Sequence, residues 1–290
     1  MTHAGLWLAC LLWGISFIAS KVALESCPPL TVAMLRLVVS AACFGAWFCA
    51  RGWPRRAWEP ARLGSILILS LFGTSLHYGT QTAGLQYTSA SNASLYAVTC
   101  PIAIALIAAS FLRERLSNRR ILGILIALAG VLTAMGWQTL ASVDLRSHLW
   151  GDSLVFVSIV LWALFTVYGR KLTAELGSLE LTGVVTMVGA ATMVPVGWVE
   201  LSLLGRGLGA VTLRSWLAVG FLGVTCSFLA TLLYFRALEK TESQKVGVYL
   251  YTIPLITYAA AWLLLNETVG WNLAAGSVLV LAGVHLTERN

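Results

Sequence analysis

The sequence predicts an all-α membrane protein of ten transmembrane helices. Three observations carry the prediction: ten long apolar stretches, an uneven spread of basic residues between them, and a repeat that relates the two halves of the chain. Of the 290 residues, 58% are hydrophobic and 11% charged. A water-soluble domain runs at about 45–50% apolar and about 25% charged. A mean hydropathy of +0.82 leaves too little polar surface to coat a fold in water. A spanning helix needs roughly 20 mostly apolar residues. The stretches of that kind are 4–24, 30–50, 63–83, 89–112, 119–137, 150–170, 179–201, 214–236, 243–265 and 270–287. The first is too long for the core of a signal peptide and reads as the first spanning helix. The connections are short, so no extramembrane domain is expected.

The net charge of +7 could point to nucleic acid. The basic residues instead fall between the apolar runs, so a lipid bilayer accounts for them and nucleic acid is not an expected partner. With the N-terminus in the cytoplasm, the cytoplasmic segments hold thirteen Lys and Arg and the outer loops three, Arg146, Arg206 and Arg214. That asymmetry places both termini in the cytoplasm. The six cysteines, Cys10, Cys27, Cys43, Cys49, Cys100 and Cys226, are scattered without CxxC or zinc spacing. No metal, disulfide or other cofactor is expected from them.

The repeat is visible residue by residue. Leu85, Thr88, Tyr96, Pro101, Glu114, Gly123 and Gly130 match Leu238, Thr241, Tyr249, Pro254, Glu267, Gly276 and Gly283 at a constant shift of 153. Trp13 matches Trp162 at a shift of 149. The chain divides into a first five-helix repeat, 1–137, and a second, 138–290. Five is odd, so the second repeat enters the membrane inverted, an arrangement common among secondary transporters.

The same residues carry a resemblance. Trp13-Gly14-Ile15-Ser16-Phe17, with Lys21, Pro29 and Arg36, resembles the first two helices of the drug/metabolite transporter superfamily, in its EamA-type exporter branch. Leu85-Gln86-Tyr87-Thr88-Ser89-Ala90-Ser91-Asn92-Ala93-Ser94, Pro101, Glu114-Arg115-Leu116 and Gly123 are similar to that branch's fourth and fifth helices. Ala237-Leu238-Glu239-Lys240-Thr241, Pro254, Glu267-Thr268 and Gly276 repeat the pattern. Gln244-Lys245 departs from it, since the family usually carries small residues there. The aromatic character of the spans most resembles the YddG-type aromatic amino acid exporter. The resemblance implies a multi-pass protein of the cell (inner) membrane. Helices one to four and six to nine would line a central cavity, with helices five and ten peripheral.

Candidate contact residues follow from polar and aromatic groups at membrane depth, which are costly unless they face protein or water. His77, Tyr78 and Gln81 share one helical face; they line a cavity or bond across helices. Asn92, Tyr96 and Thr99 form a stripe at 4-then-3 spacing, followed by Pro101. Tyr249 precedes the matching Pro254. Each proline removes a backbone hydrogen bond and serves as a gating hinge or a static bend. Trp13 and Trp162 form cavity walls or core packing. Trp53, Trp58, Trp150 and Trp271 lie near helix ends as interface anchors. Lys21 and Arg36 lure a substrate carboxylate or, as the favoured reading, form structural ion pairs, Lys21 with Glu25. Glu114 and Glu267 cap helices or pair with basic residues. The small faces of Gly123, Ala127 and Gly130, and of Gly276 and Gly283, suit close helix approach, as a buttress between the halves or a dimer contact. Monomer and homodimer therefore both stay open.

No Asp or Glu sits in the middle of a span, which argues against cation export of the small-multidrug kind. No nucleotide-binding motif occurs, and no nucleophile–base pair of an enzyme. The expected function is export of small metabolites by alternating access, amino acids with an aromatic or apolar bias foremost. A carrier of the same fold for a drug or a nucleotide sugar, and a receptor without transport, are the alternatives.

Overall fold

The computed structural model describes residues 2–88, 90–112, 114, 117–141, 149–265 and 271–288; the side chains of 2, 91, 92, 95, 135–141, 261–265, 273 and 288 lie outside that description. Among the described residues every regular element is helical. Five stretches are long and apolar enough to cross a membrane: His3–Leu24, Pro29–Arg51, Leu149–Leu176, Ser178–Leu203 and Leu213–Leu238. Of the other apolar stretches, Asn118–Ala141 and Trp271–Glu288 run as single helices, while the third, fourth and ninth are interrupted, and those interruptions shape the interior.

The first two helices are α1 (Thr2–Leu24) and α2 (Pro29–Arg51). Proline opens α2 at the position where a missing N–H costs nothing, and Gly52 ends it at a φ of 106° that a side chain would resist. The third passage is broken. Helix α3 (Pro60–Ser70) passes into a π-helical stretch, Leu71–Leu76, and resumes as α4 (His77–Tyr87). Next come α5 (Ala90–Ala97) and α6 (Thr99–Phe111), then α7 (Asn118–Ala141). Two long helices follow, α8 (Leu149–Leu176) and α9 (Ser178–Leu203). Helix α10 (Leu213–Phe221) enters a second π-helical stretch, Leu222–Ala230, and resumes as α11 (Thr231–Leu238). A single turn, α12 (Ser243–Gly247), and a 3₁₀ turn, Val248–Tyr251, lead into α13 (Thr252–Leu265), and α14 (Trp271–Glu288) closes the chain.

Both π stretches contain a threonine whose hydroxyl donates to the carbonyl four residues back. Thr74 donates to Ser70 at 2.5 Å and Thr225 to Phe221 at 2.7 Å. Such back-bonding gives the carbonyl a donor beside the backbone ladder.

Helices pack through glycine. Helix α7 lies along α14, and a Cβ on Gly130 would sit 2.6 Å from the Val280 nitrogen and 2.8 Å from the Gly276 oxygen. The two small faces that the sequence left between a buttress and a dimer contact therefore meet each other within one chain. Helix α4 meets α8 as closely: a Cβ on Gly84 would stand 2.7 Å from the Gly151 oxygen. Outside, Ile68, Leu106, Phe111, Leu203 and Leu217 stand exposed, as hydrocarbon requires and water does not.

Helix N-termini are capped from other helices. Glu200 of α9 accepts from the Leu30 and Thr31 nitrogens of α2 at 3.0 and 2.6 Å. Glu239 accepts from the Ser178 nitrogen of α9 at 3.1 Å. Buried Glu114 accepts from the Ser243 nitrogen at 3.1 Å and pairs with Arg170 at 2.6 Å, so it both caps and pairs. Glu267 lies outside the described residues. Each cap satisfies orphan amides and complements the helix dipole. The expected Lys21–Glu25 pair does not form. Lys21 donates to the Leu85 oxygen at 2.6 Å, because the last turn of α4 leaves that carbonyl without a helical partner. Glu25 meets exposed Arg214 at 3.4 Å instead.

The glycine contacts generate a paired test. Gly130→Val forces a branched side chain into the α14 backbone and is expected to lower stability by about 1–3 kcal/mol. Gly220→Ala in α10 enters open space and is expected to be neutral or slightly stabilising. Thermal unfolding in detergent separates the two; equal midpoints would contradict the packing.

Candidate functional site

The interruptions converge on one interior cavity. Its wall includes Trp13, Ser16 and Phe17 of α1, Arg36 of α2, and His77, Tyr78 and Gln81 of α4. Ala97 and Cys100 flank the α5–α6 break, Val155, Ile159 and Trp162 come from α8, and Leu250 and Ile253 flank the turn before α13. Ala97 and Leu250, like Cys100 and Ile253, stand 153 residues apart, so the two broken helices present matching positions to the same space.

The aromatic wall is a connected cluster. Trp13 meets Trp162 edge to face, centroids 5.1 Å apart at 82°. Tyr234, fully buried beneath them, lies 5.2 Å from Trp13 and 5.7 Å from Trp162. His77 lies 5.1 Å from Trp162 and 4.7 Å from Tyr78. Edge-to-face geometry matches the positive rim of one ring to the negative face of the next.

The π stretches position these side chains. In Leu222–Ala230 the opened backbone offers the Cys226 carbonyl, which accepts from the Trp13 indole at 3.2 Å and from the Thr231 hydroxyl at 3.2 Å. The next residue, Ser227, accepts from the Arg36 Nε at 3.0 Å. Leu71–Leu76 ends directly at His77. His77 Nδ1 lies 2.8 Å from the Ser158 carbonyl. A carbonyl only accepts, so Nδ1 carries a proton.

The prolines sit where the new helices begin. Pro101 and Pro254 are each the third residue of their helix, α6 and α13, where an N–H is not needed. The Thr99 hydroxyl donates to the Tyr96 carbonyl at 2.7 Å, and the Thr252 hydroxyl to the Tyr249 carbonyl at 2.7 Å. Both breaks are thus stapled in the same way.

Of the residues expected at a site, Trp13, His77, Tyr78, Gln81 and Trp162 come together at the cavity. Tyr96 and Tyr249 do not line it. Tyr96 donates to Asp152 at 3.1 Å. Tyr249 is buried, its hydroxyl 2.7 Å from His3 Nδ1 and its ring against Trp7 at 5.4 Å. The 4-then-3 stripe assumed one continuous helix; the break at Val98 rotates the two parts, and Ala97 and Cys100 face the cavity instead. The Asn92 side chain lies outside the described residues. Ser16, Phe17 and Arg36 are among the wall residues that the contact list from sequence missed, with Ala97, Cys100, Val155, Ile159, Leu250 and Ile253. Arg36 was readable as an intramembrane charge, but periodicity cannot tell a paired charge from an unpaired one.

The cavity measures about 70 Å³. Clefts that hold small molecules span about 300–1,000 Å³. A few waters or a small fragment fit; a whole metabolite requires the walls to part.

Comparison with known proteins follows this geometry closely. The model of the EamA-like transporter family matches residues 3–136 and again 149–288. An uncharacterized transporter of Archaeoglobus fulgidus is 30% identical, covering 99% of this chain and 96% of its own. The uncharacterized transporter YoaV of Bacillus subtilis is 24% identical over 95% of this chain and 92% of its own. The uncharacterized inner membrane transporter YedA of Escherichia coli is 26% identical over 96% and 87%. A crystal structure superposes with a TM-score of 0.79 at 20% identity, covering 99% of this chain and 97% of that one, which speaks to the fold alone.

A double-mutant cycle tests the wall. Trp13→Leu and Trp162→Leu are expected to be coupled by about 0.5–1.5 kcal/mol in unfolding free energy. Strict additivity would show that the rings do not sense each other.

Proposed function

Since this chain belongs to the EamA-like transporter family, we propose that it exports small metabolites, amino acids of aromatic or apolar side chain foremost, in the manner of the YddG-type exporter. The coarser statement needs no proposal: the chain is a small-solute transporter of the membrane, and its family is one of transporters rather than enzymes. The observation that carries the finer reading is the composition of the cavity wall. Trp13, Phe17 and Trp162 offer an aromatic surface, while Ser16, Gln81, Tyr78 and Arg36 offer hydrogen-bonding groups beside it. An amino acid has the same two-part chemistry, and a pocket discriminates by matching both parts.

Alternating access is the mechanism we assign. In that reading the chain spans the membrane ten times in two inverted halves, 1–137 and 138–290, with both termini in the cytoplasm of an inner-membrane protein. Two features support the division: the family's model matches twice, at 3–136 and 149–288, and both halves carry a π stretch and a proline-led break at corresponding places. Rocking of one half against the other would use the breaks before Pro101 and Pro254 as hinges. Those breaks border the cavity, so a change there opens or closes the wall directly. The small volume of the cavity fits an occluded state in such a cycle.

Counterflow of labelled amino acids into proteoliposomes tests the assignment. Saturable uptake is expected with an aromatic amino acid. It should fall about tenfold, about 1.4 kcal/mol of lost interaction, in Trp162→Ala and in His77→Ala. A parallel series with a pH gradient reads whether protons are coupled to flux. Absence of flux for every amino acid would remove the substrate assignment and leave the transporter family untouched.

A further inference from the structure

Among the described residues, Arg36 is the one formally charged side chain on the cavity wall. It is 1% exposed. Its Nε donates to Ser227 Oγ at 3.0 Å, and its guanidinium carbon lies 4.0 Å above the Tyr78 ring. Its Nη1 is buried and makes no hydrogen bond. Among the described residues no carboxylate pairs with it. A guanidinium keeps its charge at any accessible pH and offers five donors. Taking such a charge out of water without an anion costs several kcal/mol. The Tyr78 face and the Ser227 hydroxyl recover part of that cost, but neither supplies a negative charge. A wholly structural arginine would be expected to have its own acid, as Arg170 has Glu114.

We propose that Arg36 is the anchor for the carboxylate of the transported solute, so that the substrate class is a monoanionic or zwitterionic carboxylate with an apolar body. This assignment rests on the transport reading above and sharpens it. The unsatisfied Nη1 donor belongs to a residue of the cavity wall, and a carboxylate binds a guanidinium fork through parallel N–H bonds. One guanidinium neutralises one charge. A diphosphate or a dicarboxylate would bring an excess charge that no second wall residue balances. A lipophilic cation would meet like charge. The aromatic cluster beside Arg36 takes the apolar body, with Trp13, Phe17 and Trp162 within the same wall. The sequence alone favoured a structural pair for Arg36; the absence of any paired acid among the described residues reverses that preference.

The experiment compares matched solutes on purified protein, read as the thermal unfolding midpoint in detergent against solute concentration. The probes are L-phenylalanine and 3-phenylpropanoate, which carry the carboxylate, L-phenylalaninamide, which neutralises it, and phenethylamine, which lacks it. The proteins are wild type, Arg36→Lys, Arg36→Gln and Ser227→Ala. In the wild type the two carboxylates are expected to stabilise at concentrations at least about tenfold lower than the amide or the amine. Arg36→Lys keeps the preference for acid over amide with weaker binding, since the charge remains and the fork is lost. Arg36→Gln abolishes the preference. Ser227→Ala keeps it, reduced, because the fork is steered less firmly. Should Arg36→Gln fail to fold, the wild-type series and Arg36→Lys decide. Amide equal to acid in the wild type, no stabilisation by either carboxylate, or an acid preference that survives in Arg36→Gln overturns the assignment. Flux in proteoliposomes separates the two readings. A carboxylate that stabilises but is not carried removes the transport reading and leaves the anion site. A neutral or cationic solute that is carried without acid preference does the reverse.

Discussion

The interior of this protein depends on a helix that opens. Within the π stretch Leu222–Ala230 the Cys226 carbonyl takes the Trp13 indole N–H. One residue later Ser227 takes the Arg36 Nε. Without the Cys226 acceptor Trp13 would have a buried N–H without a partner, which costs roughly 1–3 kcal/mol. Trp162, Tyr234 and His77 lean on Trp13 directly or through one ring. The irregular turn therefore sets the position of the aromatic wall and of the buried cation together.

Irregular backbone at this depth survives only where its freed groups find partners or line a cavity. The molecule meets that condition in the same way at each break. Threonine hydroxyls satisfy carbonyls at the two π stretches and at the two proline-led breaks. Carboxylates distant in the chain satisfy the amides at the starts of α2, α9 and α12. The regular parts carry the complementary task. Helices α7 and α14, joined through glycine faces, contribute none of the described cavity-wall residues. Close packing at that flank and interruptions at the centre suit a protein that moves a solute.

The cavity wall joins two unlike surfaces. Aromatic rings attract an apolar body without regard to its direction, whereas the guanidinium fork of Arg36 demands an anion in one orientation. Specificity of the kind a small-solute transporter needs arises from that combination, since dispersion alone separates solutes weakly and an unsatisfied buried charge separates them strongly.

Much of this was legible in the sequence. Hydropathy of the stretches set the all-helical, membrane class, because burying backbone in hydrocarbon leaves few alternatives to helices. The matching residues at a shift of 153 marked Pro101 and Pro254 as equivalent, and the turn spacing of His77, Tyr78 and Gln81 put them on one face. Trp13 and Trp162 were paired by position before their rings were seen to touch. Other features were decided by tertiary structure alone. Tyr96 and Tyr249 do not line the cavity; the breaks beside them turn Ala97, Cys100, Leu250 and Ile253 to it, which no local pattern in the sequence records. Lys21 found a carbonyl rather than Glu25, since the unpaired last turn of α4 lies 64 residues away in the chain. Whether Arg36 had an acid could not be read from its neighbours in sequence, because its partners come from α4 and from the π stretch nearly 200 residues on. Local pattern records which groups a helix must hide. Only the packed structure decides which of them are answered by protein and which are left for a solute.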